Sequence, residues 1–177
     1  MMINKVFWKE PKKSIFFQKN KNNIVLISKR NLEFLKKSKN QKNKKSRICI
    51  HGSDKENIHE MMVFHKRDAY VRPHKHLNKL ESFFVISGEI TLVIFNAFGR
   101  PIKKIEMGDY FSGKIFFYKM KKNYYHTQII KKDTIFKEVT NGPFIKSKTL
   151  NAKWSPKEQD KDKVKNYLTH LKKYKIK

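Results

Sequence analysis

The sequence predicts an all-β domain of antiparallel strands, a sandwich or small barrel, flanked by a short N-terminal helix and a C-terminal amphipathic helix. Three observations predict it. Between Arg47 and Phe144, short runs rich in branched and aromatic residues recur as RICIH, MMVFH, AYVRPH, SFFVI, ITLVIF, KIFFY, YYHTQII and TIFKEV. Turn signals separate them at GSD, SGE, NAFGR, EMGD and TNGP, and the gaps are too short for crossover helices, so the pairing must be mainly antiparallel. The 177 residues are 38% hydrophobic and 13% aromatic, enough to fill one core in spite of the charge.

Residues 1–46 read as a lysine-rich extension. Its aromatics Phe7, Trp8, Phe16 and Phe17 suggest docking onto the domain. Ser28 can cap a short helix over about residues 29–37, in which Leu32 and Leu35 stand three apart, and the lysine run KKSKNQKNKKSR follows with no apolar period. Residues 47–150 hold the strand runs. In the tail, 151–177, Ser155-Pro156-Lys157-Glu158 has the form of a capping box with proline at the first helical position. Val164, Tyr167, Leu168 and Leu171 then make one apolar stripe, suited to packing on the strands or on a second subunit.

The formal charge of +27 comes from 42 basic and 15 acidic residues, and it is uneven: +13 over residues 1–50, +8 over 51–150 and +6 over 151–177. Phosphate and base readers favour the bidentate guanidinium, yet only five of the basic residues are arginine. The chain is also rich in Asn, Ile, Phe and Tyr, so the lysines read as a solvated coat of compositional origin and no specific nucleic-acid partner is expected. Cys49 is the single cysteine, which excludes an internal disulfide framework and points to a reducing, cytoplasmic setting. No apolar run reaches signal-peptide or membrane-spanning length, so a soluble, or at most surface-attached, protein is expected.

The chemistry-bearing residues cluster around Pro73-His74-Lys75-His76. Residues two apart on a strand share a face, so His74 and His76 can reach one point, and Glu81 can open the next strand beside them. Imidazoles with a carboxylate suit a divalent metal that keeps open coordination positions, whereas a lone pair of histidines on a strand is more often solvated. By the same parity Tyr70 and Arg72 could face inward with His74, where the guanidinium could fork onto a carboxylate or phosphate; an outward Arg72 is equally compatible. Gln128 shares parity with His126 and could orient a ligand. Glu138 could act as a general base or be a buried structural carboxylate. His51 shares a face with Arg47 and Cys49, and Trp154 reads as a plug holding the tail rather than a sugar platform.

The joint spacing His74-x-His76-x4-Glu81-x6-Gly88 resembles the first cupin motif, and Tyr124-Tyr125-His126-Thr127, after Gly108-Asp109, resembles the second, although the usual proline-glycine turn before it is KMKKN here. Arg47-Ile48-Cys49-Ile50-His51, Met61 or Met62, Tyr70-Val71-Arg72-Pro73-His74-Lys75-His76, Glu138 to Phe144, Lys148 and Ala152 to Glu158 are similar to the landmarks of the WbuC family over about residues 25–158. That family comprises cupin-fold metalloproteins found among genes for O-antigen and other surface polysaccharides. Ser147 stands where its acidic residue is expected, and the terminal helix lies beyond its usual end.

The resemblance implies a cupin jelly-roll barrel with one divalent metal, Zn, Fe, Mn or Ni, on His74, His76, Glu81 and His126. The family supplies no settled reaction; its context together with the ligand set favours a cytoplasmic protein acting on an anionic sugar or nucleotide-sugar intermediate of lipopolysaccharide and O-antigen synthesis, with the metal as Lewis acid in an isomerisation or epimerisation. A homodimer is expected. Two alternatives stay open: an Fe(II)-dependent dioxygenase, and a non-catalytic, metal-stabilised module that binds an anionic glycan or nucleic acid.

Overall fold

The computed structural model describes residues 7–9, 15–18, 24–38 and 44–176. In chain order the elements are β1 (Phe7–Lys9), β2 (Ile15–Gln18), α1 (Lys29–Lys37), β3 (Lys45–Cys49), β4 (Ile58–His65), β5 (His74–His76), β6 (Glu81–Ser87) and β7 (Glu89–Phe95). β8 (Pro101–Gly108), β9 (Phe117–Met120), β10 (Tyr125–Ile130), β11 (Thr134–Asn141), β12 (Thr149–Asn151) and α2 (Lys161–Lys173) follow. The strands form two sheets, ordered β1-β2-β3-β4-β11-β6-β9 and β12-β5-β10-β7-β8. Every pairing is antiparallel except β2 on β3, which is parallel. The architecture is thus the mostly β, two-sheet arrangement expected, with a helix on each side of the strand region.

Strand alternation explains where the core lies. Cys49, Met61, Val63, Phe83, Val85 and Phe136 of the first sheet meet Ile90, Leu92, Ile94, Met107 and Ile130 of the second. The opposite parity of the first sheet, Ile48, Phe64 and Ile135, is roofed by Leu35 of α1 and Phe16 of β2. α1 has the predicted bounds. Asn31 Oδ1 accepts hydrogen bonds from the N–H and hydroxyl of Ser28 at 2.8 and 2.7 Å, while Ser46 Oγ donates to the Leu35 carbonyl at 2.6 Å and ties the helix to β3. On the outer face of the second sheet, Val93, Phe95 and Ile129 pack under Leu171, with Tyr70 against Val164 and Leu168. Burial of each of these α2 aliphatics contributes about 1.5–3 kcal/mol, so the helix is held by its stripe.

Three differences from the sequence reading have physical causes. The aromatic extension supplies β1 and β2, which lengthen the first sheet by parallel addition to β3. PIKKIEM forms β8, although proline and two lysines disguise it. It is the edge of the second sheet, where a missing N–H and charged side chains are tolerated. The tail helix starts at Lys161 with Asp160 at its cap, not at Pro156. Ser155 Oγ donates to the Ala152 carbonyl at 2.8 Å, and the Pro156 carbonyl accepts from the Tyr70 hydroxyl at 3.0 Å, so tertiary bonds occupy the groups that a helix start would use.

Gly88 turns β6 into β7 at φ +96°, and a Cβ there would lie 2.3 Å from the Asp133 carbonyl, so the tight turn requires glycine. Among the described residues no helix is long and apolar enough to cross a membrane.

Candidate metal centre

His74 and His126 are direct cross-strand partners on β5 and β10, and His76 follows two residues along β5 on the same face. One potential ligand atom from each of the three histidines lies within 4.8 Å of the others. Their rings face one another with centroids 4.5 to 5.8 Å apart. Their Nδ1 atoms point away from that centre, His74 to the Arg72 carbonyl at 2.8 Å, His126 to the Tyr124 carbonyl at 3.0 Å and His76 to the Thr149 hydroxyl at 3.0 Å. A carbonyl only accepts, so in the neutral ring of His74 the proton sits on Nδ1 and Nε2 presents a lone pair inward, and His126 likewise donates its Nδ1–H to Tyr124. This is the second-layer arrangement that orients a ligating imidazole.

Glu81, at the start of β6, stands across from these rings. Its Oε2 lies 3.6 Å from His76 Nε2 and its Oε1 3.4 Å from His126 Nε2. The Tyr118 hydroxyl on β9 donates to Glu81 Oε1, and Gln128 in turn is hydrogen-bonded to Tyr118. Burial alone would raise the Glu81 pKa, but the His126 charge and the bonds from His126, His76 and Tyr118 hold it well below the usual carboxylate range. Burial, with the charges of His126 and His76, lowers His74 to about 3 and keeps it neutral. His126 is raised, since Glu81 outweighs its burial. Three imidazoles and one charged, buried carboxylate form a donor set that fits a divalent cation, with positions left for a ligand.

The centre lies in the wall of a cavity of about 390 Å³ between the two sheets, lined also by Lys45, Arg47, Val71, Gln128 and Glu138. Gln128 Oε1 is buried there with no hydrogen-bond partner. Glu138 is half-buried at the cavity wall, in register with Met61 and Phe83; loss of hydration, then the Glu81 charge, push its pKa up against Arg47, His76 and Lys79. Lys45 Nζ reaches Glu158 at 3.4 Å, and Arg47 Nη1 touches Met61 Sδ at 3.8 Å. A larger groove of about 800 Å³ runs beside α2, lined by Lys44, Lys161 and Lys172 among others, but none of the three clustered histidines reaches it.

The structure therefore brings together His74, His76, His126 and Glu81, and puts Gln128 and Glu138 in the same cavity. Arg72 is elsewhere. Its Nε donates to Ser155 Oγ at 3.1 Å and its Nη2 to the Ala152 carbonyl at 3.3 Å, so it clamps the tail. Tyr70 packs under α2. Regular β5 begins only at His74, after Pro73, and the strand parity used for Tyr70 and Arg72 does not carry across that break; Val71 lines the cavity instead. Trp154 packs on Phe95 and over Gly99, and its Nε1 donates to the Ala97 carbonyl at 3.2 Å, which is a plug. The sequence reading missed Tyr118, Thr149, Lys45 and the cavity placement of Arg47. Alternation within KIFFY could have marked Tyr118, whereas Thr149 meets His76 only through the β12–β5 pairing.

A family model described as a domain of unknown function (DUF6016) matches residues 27–107. No curated protein matches the chain. Its structural neighbours are cupin-fold proteins. A crystal structure of CapF with the inhibitor 3-isopropenyl-tropolone is 16% identical with a TM-score of 0.52, covering 63% of this chain and 32% of that one. The capsular polysaccharide assembling protein CapF from Staphylococcus aureus is 16% identical with a TM-score of 0.49, covering 63% and 30%. KdgF from Halomonas sp. is 14% identical with a TM-score of 0.45, covering 62% and 87%. The chain spans about a third of the length of the CapF structures, and the likeness is one of fold.

Proposed function

We propose that this chain is a metal-dependent cupin that isomerises or epimerises a sugar or nucleotide-sugar intermediate of surface-polysaccharide synthesis. The observation that carries the reading is the convergence of three imidazoles, with Glu81 beside two of them, at a cavity lined by His74, His126 and Glu81. The sugar class rests on the resemblance of the sequence landmarks to the WbuC family. His74, His76, His126 and Glu81 would hold the metal. When bound, a divalent ion supplies a Lewis acid for a carbonyl or a hydroxyl pair of the substrate.

The remaining roles belong to the chain itself. The Glu138 carboxylate, across the cavity, takes the proton from the carbon next to the carbonyl and returns it. Arg47 and Lys45 bring positive charge to the cavity and receive a carboxylate or phosphate of the substrate, the part that Arg72 cannot play from its place on the tail. The unpartnered Gln128 Oε1 accepts from a substrate hydroxyl.

Elemental analysis of the purified chain and of the His74→Ala/His76→Ala variant tests the reading. One metal per chain, lost in the variant, is expected; full retention would refute the site. A thermal-shift screen with nucleotide sugars then tests the substrate class, and oxygen uptake after anaerobic loading with iron separates isomerisation from oxygen chemistry.

A further inference from the structure

Among the described residues the outer face of the first sheet is roofed over only part of its width, and the ion pair of Lys137 and Glu60 stands between the roofed part and the β9 edge. α1 covers Ile48, Phe64 and Ile135 on β3, β4 and β11. Toward the β9 edge the same face carries Phe84 and Phe117, register partners that remain 39% and 48% exposed. Beside them, the turn at Tyr110–Ser112 ends on Gly113 at φ +68°, where a Cβ would meet nothing within 4 Å. Tyr110 and Phe111 project from that turn, 68% and 93% exposed. The rings run on from one to the next: Phe111 to Tyr110 at 5.5 Å, Tyr110 to Phe116 at 5.8 Å and Phe116 to Phe84 at 5.6 Å. A continuous exposed aromatic surface of this kind marks an interaction site.

Charge identifies what the surface meets. Between Gly108 and Lys122 the chain carries four lysines and one acidic residue, Asp109. Lys119, Lys121 and Lys122 are exposed at the β9 edge. The nearby Glu89 is already paired with both Lys114 and Lys132. A second copy of a chain with charge +27 would set lysines against lysines, whereas an anionic lipid surface attracts each of them and accepts aromatic rings at its headgroup level.

We propose that this face docks on an anionic membrane surface, with Tyr110 and Phe111 entering the headgroup layer and Lys119, Lys121 and Lys122 meeting the lipid phosphates. β9 and β3 lie toward opposite sides of the first sheet, so a docked chain keeps the Lys45 and Arg47 side of its cavity open to solvent.

The full chain should co-sediment with vesicles of phosphatidylcholine mixed with phosphatidylglycerol, and not with phosphatidylcholine alone. Tyr110→Ser/Phe111→Ser changes only exposed side chains. It should weaken that binding by at least about tenfold with an unchanged melting temperature. Lys119→Gln/Lys121→Gln/Lys122→Gln should weaken it comparably and flatten its salt dependence. Absence of binding would overturn the proposal. Binding that the aromatic variant leaves intact would also overturn it, by reducing the effect to overall charge. A dimer in solution that the aromatic variant dissociates would assign the face to a second copy instead.

Discussion

Acidification should destabilise this fold through His65, a residue outside the candidate metal centre. Its ring is buried edge-on against Phe136 with centroids 5.1 Å apart, and its Nδ1 has no hydrogen-bond partner. Burial, then the charges of Lys45 and Arg47, push its pKa well below 6.5. The unfolded chain therefore takes up a proton near pH 6.5 that the folded chain refuses. Stability present above that pH is lost as the pH falls below it, at a limiting slope of about 1.4 kcal/mol per pH unit. From pH 7.5 to 5.5 this one group removes about 1.4 kcal/mol as long as the buried ring stays neutral in the folded chain. Urea unfolding at a series of pH values, in chelator, on the natural chain and on His65→Leu measures it. The variant should lose less stability over that interval by the stated amount, because the other titrating groups cancel in the difference. Equal pH slopes for the two proteins would refute the reasoning.

Two further predictions concern contacts around the site. Tyr118→Phe removes the donor to Glu81 Oε1, a charge-assisted bond in a buried position, and should weaken metal binding about 10–100-fold in a competitive chelator titration while leaving the stoichiometry unchanged. Arg72→Ala strips the clamp on Ser155 and Ala152; it should cost about 1–3 kcal/mol in denaturant unfolding and speed protease cutting within the tail, with no change in metal content.

Local pattern made much of the molecule legible. α1 shows in the sequence because Ser28, Leu32 and Leu35 sit within a few residues of one another, and the helix depends on little else than its cap and one buried stripe. The inner strands show through near-continuous runs of branched and aromatic residues, as in β7, that are buried on both faces. β8 and the N-terminal strands do not, because edge strands and short added strands lack the two-sided burial that leaves an apolar signature. The tail stripe of Val164, Leu168 and Leu171 was readable, but its start was not: whether Ser155 caps a helix or binds Ala152 and Arg72 depends on residues more than eighty positions away.

The candidate site divides in the same way. His74 and His76 share a face because a strand alternates with period two, and that follows from spacing alone. That His126 lies opposite His74, that Glu81 stands across from both His76 and His126, and that Tyr118 and Thr149 brace the group are consequences of strand register. The exchange of Arg72 for Arg47 in the cavity is the clearest case. Parity from His74 allowed Arg72 to face inward, yet regular pairing begins only after Pro73, and the tail offers Arg72 two carbonyls and a hydroxyl. By itself the sequence determined the mostly β character of the fold and the local spacing of the histidines and Glu81, since each is set by short-range geometry and composition. The tertiary structure decided which basic residues face the cavity and which aromatics stay uncovered, because those depend on how distant strands come into register.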